Sequence, residues 1–182
     1  MNANAIAGEV WTPTTYDHVV LAFLRAEWEK FPAELKARMG SLVTSPSLSV
    51  SNENSLRMCL LNKLREPLLQ RIPDDTNWFE VKYLRRPQLH ELRVINHSDW
   101  NSTSDSNELP RVAVRRPESL TSDASTWPNP ILWGHTKGGP FTILEGNHRL
   151  TASGRGCPVD FKIPVYLGLT SKKCCWHLPD RA

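Results

Sequence analysis

The 182-residue chain has no apolar run approaching the about 18 residues that a membrane-crossing helix needs, and Met1 to Gly8 lacks the basic start and long apolar stretch of a secretory leader. A cytoplasmic protein is the expectation. Cysteine is scarce: Cys59 and Cys157 stand apart, and Cys174 and Cys175 are vicinal, a spacing that disfavours an ordinary structural disulfide. Reduced thiols follow. Cys174, Cys175 and His177 also lack the C-x2-C spacing with which a turn brings two thiolates to one tetrahedral zinc. Strong charge of either sign is missing too. Lys and Arg number 22 against 19 acids, a net charge of +3, which permits anionic partners without the density of a dedicated nucleic-acid binder. No internal repeat is visible. What remains is a globular composition, 40% hydrophobic with a mean hydropathy of -0.42, in a length that suits one domain or a core domain with a helical attachment.

The helical signals come first. Thr14-Thr15-Tyr16-Asp17 reads as a threonine cap with an acid three residues on, and Tyr16, Val20, Phe23, Leu24, Trp28 and Phe31 repeat at helical spacing. Pro32 resets the chain before a shorter helix, Ala33 to Met39, which Gly40 is expected to close as a left-handed cap. Ser41 to Ser51 reads as a serine-rich linker. From Asn52 the spacing of Leu56, Cys59, Leu60 and Leu64 predicts a second long helix that ends or kinks at Pro67.

Strand signals follow. Trp78 to Tyr83 and Leu92 to Val94 alternate apolar with charged residues across Arg85-Arg86-Pro87-Gln88, which predicts a β-hairpin with a basic turn. His97 to Asn107 is polar with almost nothing to bury, and so reads as a surface loop. Arg111 to Arg116 is a further candidate strand, and a proline-punctuated connection leads to Ile131-Leu132-Trp133-Gly134. Helices first and strands after give an α+β chain, with a helical N-terminal region over 1–74 and a second unit over 75–182.

Chemistry concentrates in Phe141 to Leu169. Phe141 to Leu144 is a buried-type strand, Gly146-Asn147 a tight turn in which Asn can cap a helix, and Phe161 to Leu167 a returning strand. Strand, glycine turn and helix start present free backbone N–H groups to a phosphate. His148 and Arg149 fall in the first helical turn, within reach of the same anion, and Glu145 at the strand end is a carboxylate able to hold Mg2+ or orient a water. The plainer alternative is a capped turn with a solvated His-Arg pair and a structural glutamate.

These residues resemble the ParB/sulfiredoxin superfamily. Its strand ending in an acid, Gly-x-His-Arg helix start, glycine and Ile-Pro-Val strand correspond in order to Ile143-Leu144-Glu145-Gly146-Asn147-His148-Arg149, Gly156 and Lys162-Ile163-Pro164-Val165-Tyr166. The resemblance spans Ile131 to Leu169, with the Trp78 to Val94 segment joining the same fold, and leaves the helical N-terminal third unexplained. It implies a compact nucleotide-binding domain with a small mixed sheet and short helices. Sulfinic acid reductases of the superfamily place a cysteine where Asn147 stands, and partition proteins carry a DNA-reading domain after the last strand, so both activities are disfavoured. In size, helical front and Glu-Gly-Asn-His-Arg motif the chain resembles plasmid fertility-inhibition factors of the oncogenic-suppression type.

That resemblance implies ATP hydrolysis and Mg2+-dependent DNA cleavage that block passage of a DNA strand through a type IV secretion system, in the cytoplasm or held at the inner membrane through the coupling machinery. Glu145 would be the catalytic carboxylate and metal ligand, with His148 and Arg149 as its catalytic partners. Gly146, Asn147, His148 and Arg149 would bind the nucleotide. DNA would lie on basic residues, chiefly Arg111, Arg115 and Arg116 with Arg85, Arg86 and Arg93 beside them, and Trp100, Trp127 or Trp133 are available for base stacking. Three other readings compete. One is an HNH-like nuclease using His135, Asn147 and His148, one a phosphotransferase, and one a nucleotide-gated binding module that blocks a secretion partner through its helical face.

Overall fold

The computed structural model describes residues 10–85, 92–94, 128–135, 139, 141–147, 149–150 and 162–172. It is an α+β structure in which a six-stranded mixed sheet carries a helical layer on one face. In chain order the elements are β1 (Trp11–Thr14), α1 (Tyr16–Glu27), a 3-10 turn (Trp28–Lys30), α2 (Ala33–Met39), α3 (Ser41–Thr44), α4 (Ser51–Leu69), β2 (Asn77–Arg85), β3 (Leu92–Val94), β4 (Ile131–Gly134), β5 (Phe141–Glu145) and β6 (Lys162–Leu169). The strands lie in the order β1-β2-β6-β4-β5-β3. The β6–β4 and β5–β3 pairs are parallel and the other three antiparallel.

The predicted hairpin is not formed. β2 is paired on both sides, by β1 and β6, while β3 lies on the far edge against β5. The alternation was a sound strand signal, but it does not choose a partner, and the long apolar β6 covers more of β2 than three-residue β3 could. Both prolines in the sheet stand where a missing N–H does least harm. Pro13 is on the edge strand β1, and Pro164 lies opposite the irregularity between Val81 and Leu84, where the β2–β6 register slips.

Side-chain alternation divides the core in two. Val81, Leu132, Phe141, Ile143, Ile163, Val165 and Leu167 cluster on one face together with Leu150. On the other, Trp78, Ile131, Trp133 and Leu144 pack with Phe23, Leu24 and Leu61 from the helices. Opposite Trp78 on β6 stands Gly168, where a Cβ would come within 2.7 Å of the indole Cζ3, so a side chain there would displace the ring. The first seventy residues thus supply both an edge strand and the layer that covers the sheet.

Several helical expectations need correction. Thr15 precedes α1 but makes no capping bond; its hydroxyl meets His18 Nδ1 at 2.9 Å, and Asp17 accepts from Asn54 Nδ2 at 2.8 Å. α1 is buried almost all round from Val19 to Leu24, more than an amphipathic stripe requires. Gly40 is right-handed at φ -56, and it is small for another reason: a Cβ would lie 2.7 Å from the Lys36 carbonyl oxygen. Only Ser45 to Val50 of the serine-rich linker is irregular: Ser41–Thr44 form α3, with Leu42 and Val43 buried, and Ser51 opens α4. α4 runs past Pro67 by two residues. Its inward face is Arg57, Leu60 and Leu61, whereas Leu56 and Leu64 are exposed.

Arg57 accounts for that rotation of the helix. Its side chain is fully buried and donates to the carbonyls of Leu42 at 3.1 Å and Ser47 at 2.9 Å, to Glu53 at 3.1 Å and to Asn54 at 2.5 Å. The 41–50 segment makes few regular backbone pairs, so carbonyls turned inward need a donor. A guanidinium with five N–H groups satisfies several at once.

Candidate functional site

β5 ends at Glu145, and Gly146 turns the chain at φ +92, a conformation that favours glycine. The Leu150 N–H bonds to the Gly146 carbonyl at 2.9 Å, so the helix starts at residue 147 with Gly146 at its cap. Asn147 is therefore not the cap. Its Nδ2 instead donates back to the Ile143 carbonyl at 3.3 Å, and its Oδ1 is buried with no hydrogen-bond partner among the described residues.

This turn brings Glu145 and Arg149 together. They form an ion pair one helical turn apart, with side chains only 14% and 18% exposed, and Arg149 also donates to the Pro128 carbonyl at 2.5 Å. The strand irregularity between Ile131 and Leu132 places Glu145 opposite Ile131, a residue of the helix-facing core. Glu145 is thereby directed toward the helical layer, where Glu27 at the end of α1 is almost fully buried and paired with Lys30 at 2.5 Å and with Arg65 of α4. Two carboxylates and three cations, from β5 and the helix start after it, α1, the 3-10 turn and α4, make up this charged cluster. Sequence reasoning identified Glu145 and Arg149 and missed Glu27, Lys30 and Arg65, because spacing along one strand does not reveal what a distant helix places beside it.

The environment acts differently on the two acids. Burial pushes the Glu145 carboxyl above its ordinary range; the Arg149 charge opposes this, the Glu27 charge adds to it, and Arg65 opposes it. Burial acts upward on Glu27 as well, but hydrogen bonds and charges from Lys30 and Arg65 outweigh it and hold that carboxyl below its ordinary range.

Comparison with protein-family models, curated proteins and solved structures finds no match for this chain.

Of the other predicted site residues, His148, Arg111, Arg115 and Arg116 lie outside the described residues, as do Arg86, Trp100, Trp127 and the Cys174, Cys175 and His177 tail. Arg93 is half-buried on β3. Trp133 is 1% exposed in the core and cannot stack on a base. His135 follows β4 at the end of the β4–β5 pair opposite Glu145, since Ile131 faces Glu145 and Gly134 faces Phe141. Four residues of strand at about 3.3 Å each put it roughly 13 Å from the turn, which removes it from an HNH-like centre with Asn147.

The donor set fits the implied groups in part. Arg149 and the N–H groups at the start of a helix suit phosphate oxygens, and Glu145 offers one carboxylate, the minimum by which Mg2+ is held alongside a phosphate. Among the described residues no three His, Cys, Asp or Glu side chains converge to hold a metal by themselves. A Cβ on Gly146 would meet Pro130 Cβ at 3.0 Å, so that gap is filled from within the chain.

Proposed function

We propose that this chain is a nucleotide-dependent phosphodiester hydrolase of the ParB/sulfiredoxin type that suppresses conjugative or T-DNA transfer through a type IV secretion system. The observation that carries the chemical part is the Glu145–Arg149 pair at the Gly146 turn. A largely buried carboxylate and a guanidinium are held side by side, the two charges that phosphodiester cleavage uses on the attacking water and on the phosphate. Arg149 reorients toward a phosphate oxygen, its planar fork exchanging a carboxylate for another oxyanion of similar geometry. Glu145, relieved of that partner, accepts a proton from the attacking water or ligates Mg2+. When bound, Mg2+ supplies charge neutralisation at the phosphate. ATP would bind at the same turn, with the cleaved strand crossing the basic residues of the chain. The biological setting rests on the motif resemblance alone. No described helix is long and apolar enough to cross a membrane.

One observation favours a second reading. Arg149 already satisfies both Glu145 and the Pro128 carbonyl, a closed arrangement suited to a nucleotide-gated binding module in which the ligand breaks the pair and shifts the conformation.

Labelled single- and double-stranded DNA incubated with purified protein and Mg2+, with and without ATP, separates the two. Cleavage by the wild type and none by Glu145→Ala supports the hydrolase. No cleavage by either, together with nucleotide binding and transfer inhibition that survive Glu145→Ala, supports the gated module.

A further inference from the structure

His18, Leu21, Ala22 and Arg25 recur on α1 at intervals of three and four, a single stripe along the helix. That stripe forms one wall of a cavity of about 290 Å³ lined also by Tyr166 of β6 and by Pro128 and Asn129. Leu21 and Ala22 are buried, and His18 and Arg25 flank them, about 10 Å apart along the helix axis at 1.5 Å per residue. Hydrogen-bonding groups remain available on each polar residue. His18 uses Nδ1 on the Thr15 hydroxyl and keeps Nε2; Arg25 uses Nε, at 3.4 Å, on the Val43 carbonyl and keeps its terminal nitrogens. Tyr166 commits its backbone N–H to the Pro130 carbonyl at 2.9 Å and keeps its phenol.

Among the described residues no carboxylate lines this cavity. Burial, helped by the charge of Glu80 paired with Tyr166 across β2 and β6 and opposed by that of Arg25, pushes the phenol's ionisation up, so the hydroxyl stays protonated as a donor. A larger cleft of about 600 Å³ between α4 and β2 is the opposite case: Glu66 and Asp74 line it, with no Lys or Arg among the described residues. It would repel what the smaller cavity attracts.

We propose that the α1–β6 cavity is a binding site for a phosphoryl oxyanion, held by the Arg25 guanidinium, the His18 ring and the Tyr166 hydroxyl. A guanidinium, an imidazole and a phenol donor facing one acid-free space is the chemistry that selects phosphate oxygens. The volume is at the small end for ligand sites, room for a phosphate, a diphosphate or the polyphosphate end of a nucleotide. This site adjoins the Glu145 turn through Pro128, which accepts from Arg149, but uses neither Glu145 nor Arg149 as a ligand and does not rest on the hydrolase reading.

Calorimetric titration of the full chain at low salt with inorganic pyrophosphate, and separately with ATP, tests it. Pyrophosphate is expected to bind the wild type, with affinity at least tenfold weaker in Arg25→Gln and about threefold weaker in Tyr166→Phe. Glu66→Gln in the other cleft is expected to match the wild type. If ATP loses affinity in step with pyrophosphate, the source of the anion is a nucleotide; if only pyrophosphate does, it is a free phosphate species. Absence of pyrophosphate binding, or equal binding by folded Arg25→Gln and Tyr166→Phe proteins, overturns the proposal. Glu145→Gln keeps the two ideas apart, since it is expected to abolish DNA cleavage and, with Arg149 still bonded to the Pro128 carbonyl, to leave pyrophosphate binding intact.

Discussion

Arg149 reaches back one helical turn to Glu145 and, with its other terminal nitrogen, binds the carbonyl of Pro128, so one guanidinium ties the end of β5 to the segment that enters β4. Both partners of the ion pair are largely buried. In such pairs the loss of one member costs more than the pair contributes, because the survivor is left charged and poorly solvated.

Arg149→Ala is therefore expected to destabilise the fold by about 3 to 5 kcal/mol. Adding Glu145→Gln should restore at least half of that loss by removing the stranded charge. Urea denaturation of the wild type, both single variants and the double variant forms the cycle that measures it. Strictly additive losses would show that the pair is not coupled.

The surroundings of Glu145 also predict the acid side of any activity that needs its carboxylate. Its ionisation is raised by burial, lowered by Arg149, raised by Glu27 and lowered by Arg65. A base with a raised pKa is lost at a higher pH than an ordinary carboxylate, so activity should fall while most acids are still charged. Glu27→Gln removes a like charge and is expected to move that limb toward lower pH. Arg65→Gln removes a favourable charge and is expected to move it toward higher pH. Cleavage rates measured across pH for the three proteins decide the matter, and shifts of the same sign in both variants would refute the assigned geometry.

The sequence carried some of this arrangement and withheld the rest for identifiable reasons. Helical spacing found α1, α2 and α4, and the strand, turn and helix start around Gly146 were legible because a glycine after an apolar strand has few alternatives. Partners were not legible. Trp78 to Tyr83 alternates as a strand must, yet whether it pairs with β3 or β6 is settled by which neighbour buries more, a property of the whole sheet. The face of α4 was read one position off, because Leu56 and Leu64 look like core residues and Arg57 does not. A buried arginine is stable only where carbonyls await it, and the 41–50 segment that presents them looked like a linker. For the same reason Glu27 and Arg65 could not be connected with Glu145 before the helices were placed on the sheet.

Arg57 should be among the most sensitive positions in the helical layer. Arg57→Ala takes from the Leu42 carbonyl its side-chain donor, leaves the Ser47 carbonyl with the Val50 N–H alone, and removes the cation paired with Glu53. The expected loss is about 3 to 5 kcal/mol in chemical denaturation, in the range for breaking a buried charged network. Arg57→Lys should recover only part of it, since an ammonium cannot span acceptors set for a planar fork. A loss below about 1 kcal/mol for Arg57→Ala, the size typical of an exposed substitution, would show that the network is not formed in solution.

Asp75 clasps the turn between α4 and β2 to the end of β6. Its carboxylate accepts the Ser171 hydroxyl at 2.6 Å, the Ser171 N–H at 3.2 Å and the Thr170 hydroxyl, 95 residues away in sequence. Those bonds, the Ser171 hydroxyl foremost, lower its pKa from 3.8 to about 2. A carboxyl more acidic in the folded than in the unfolded chain contributes stability above the unfolded pKa and loses it as pH falls through the folded one, because the unfolded chain takes up the proton first. The wild type should accordingly melt above Asp75→Asn by a constant margin near neutral pH. That margin should shrink between about pH 4 and pH 2 and vanish below, where a protonated Asp75 and an asparagine are alike in charge. Melting temperatures of the two proteins recorded across this range provide the check, and parallel curves down to pH 2 would mean that the clasp does not hold the carboxylate in its charged form.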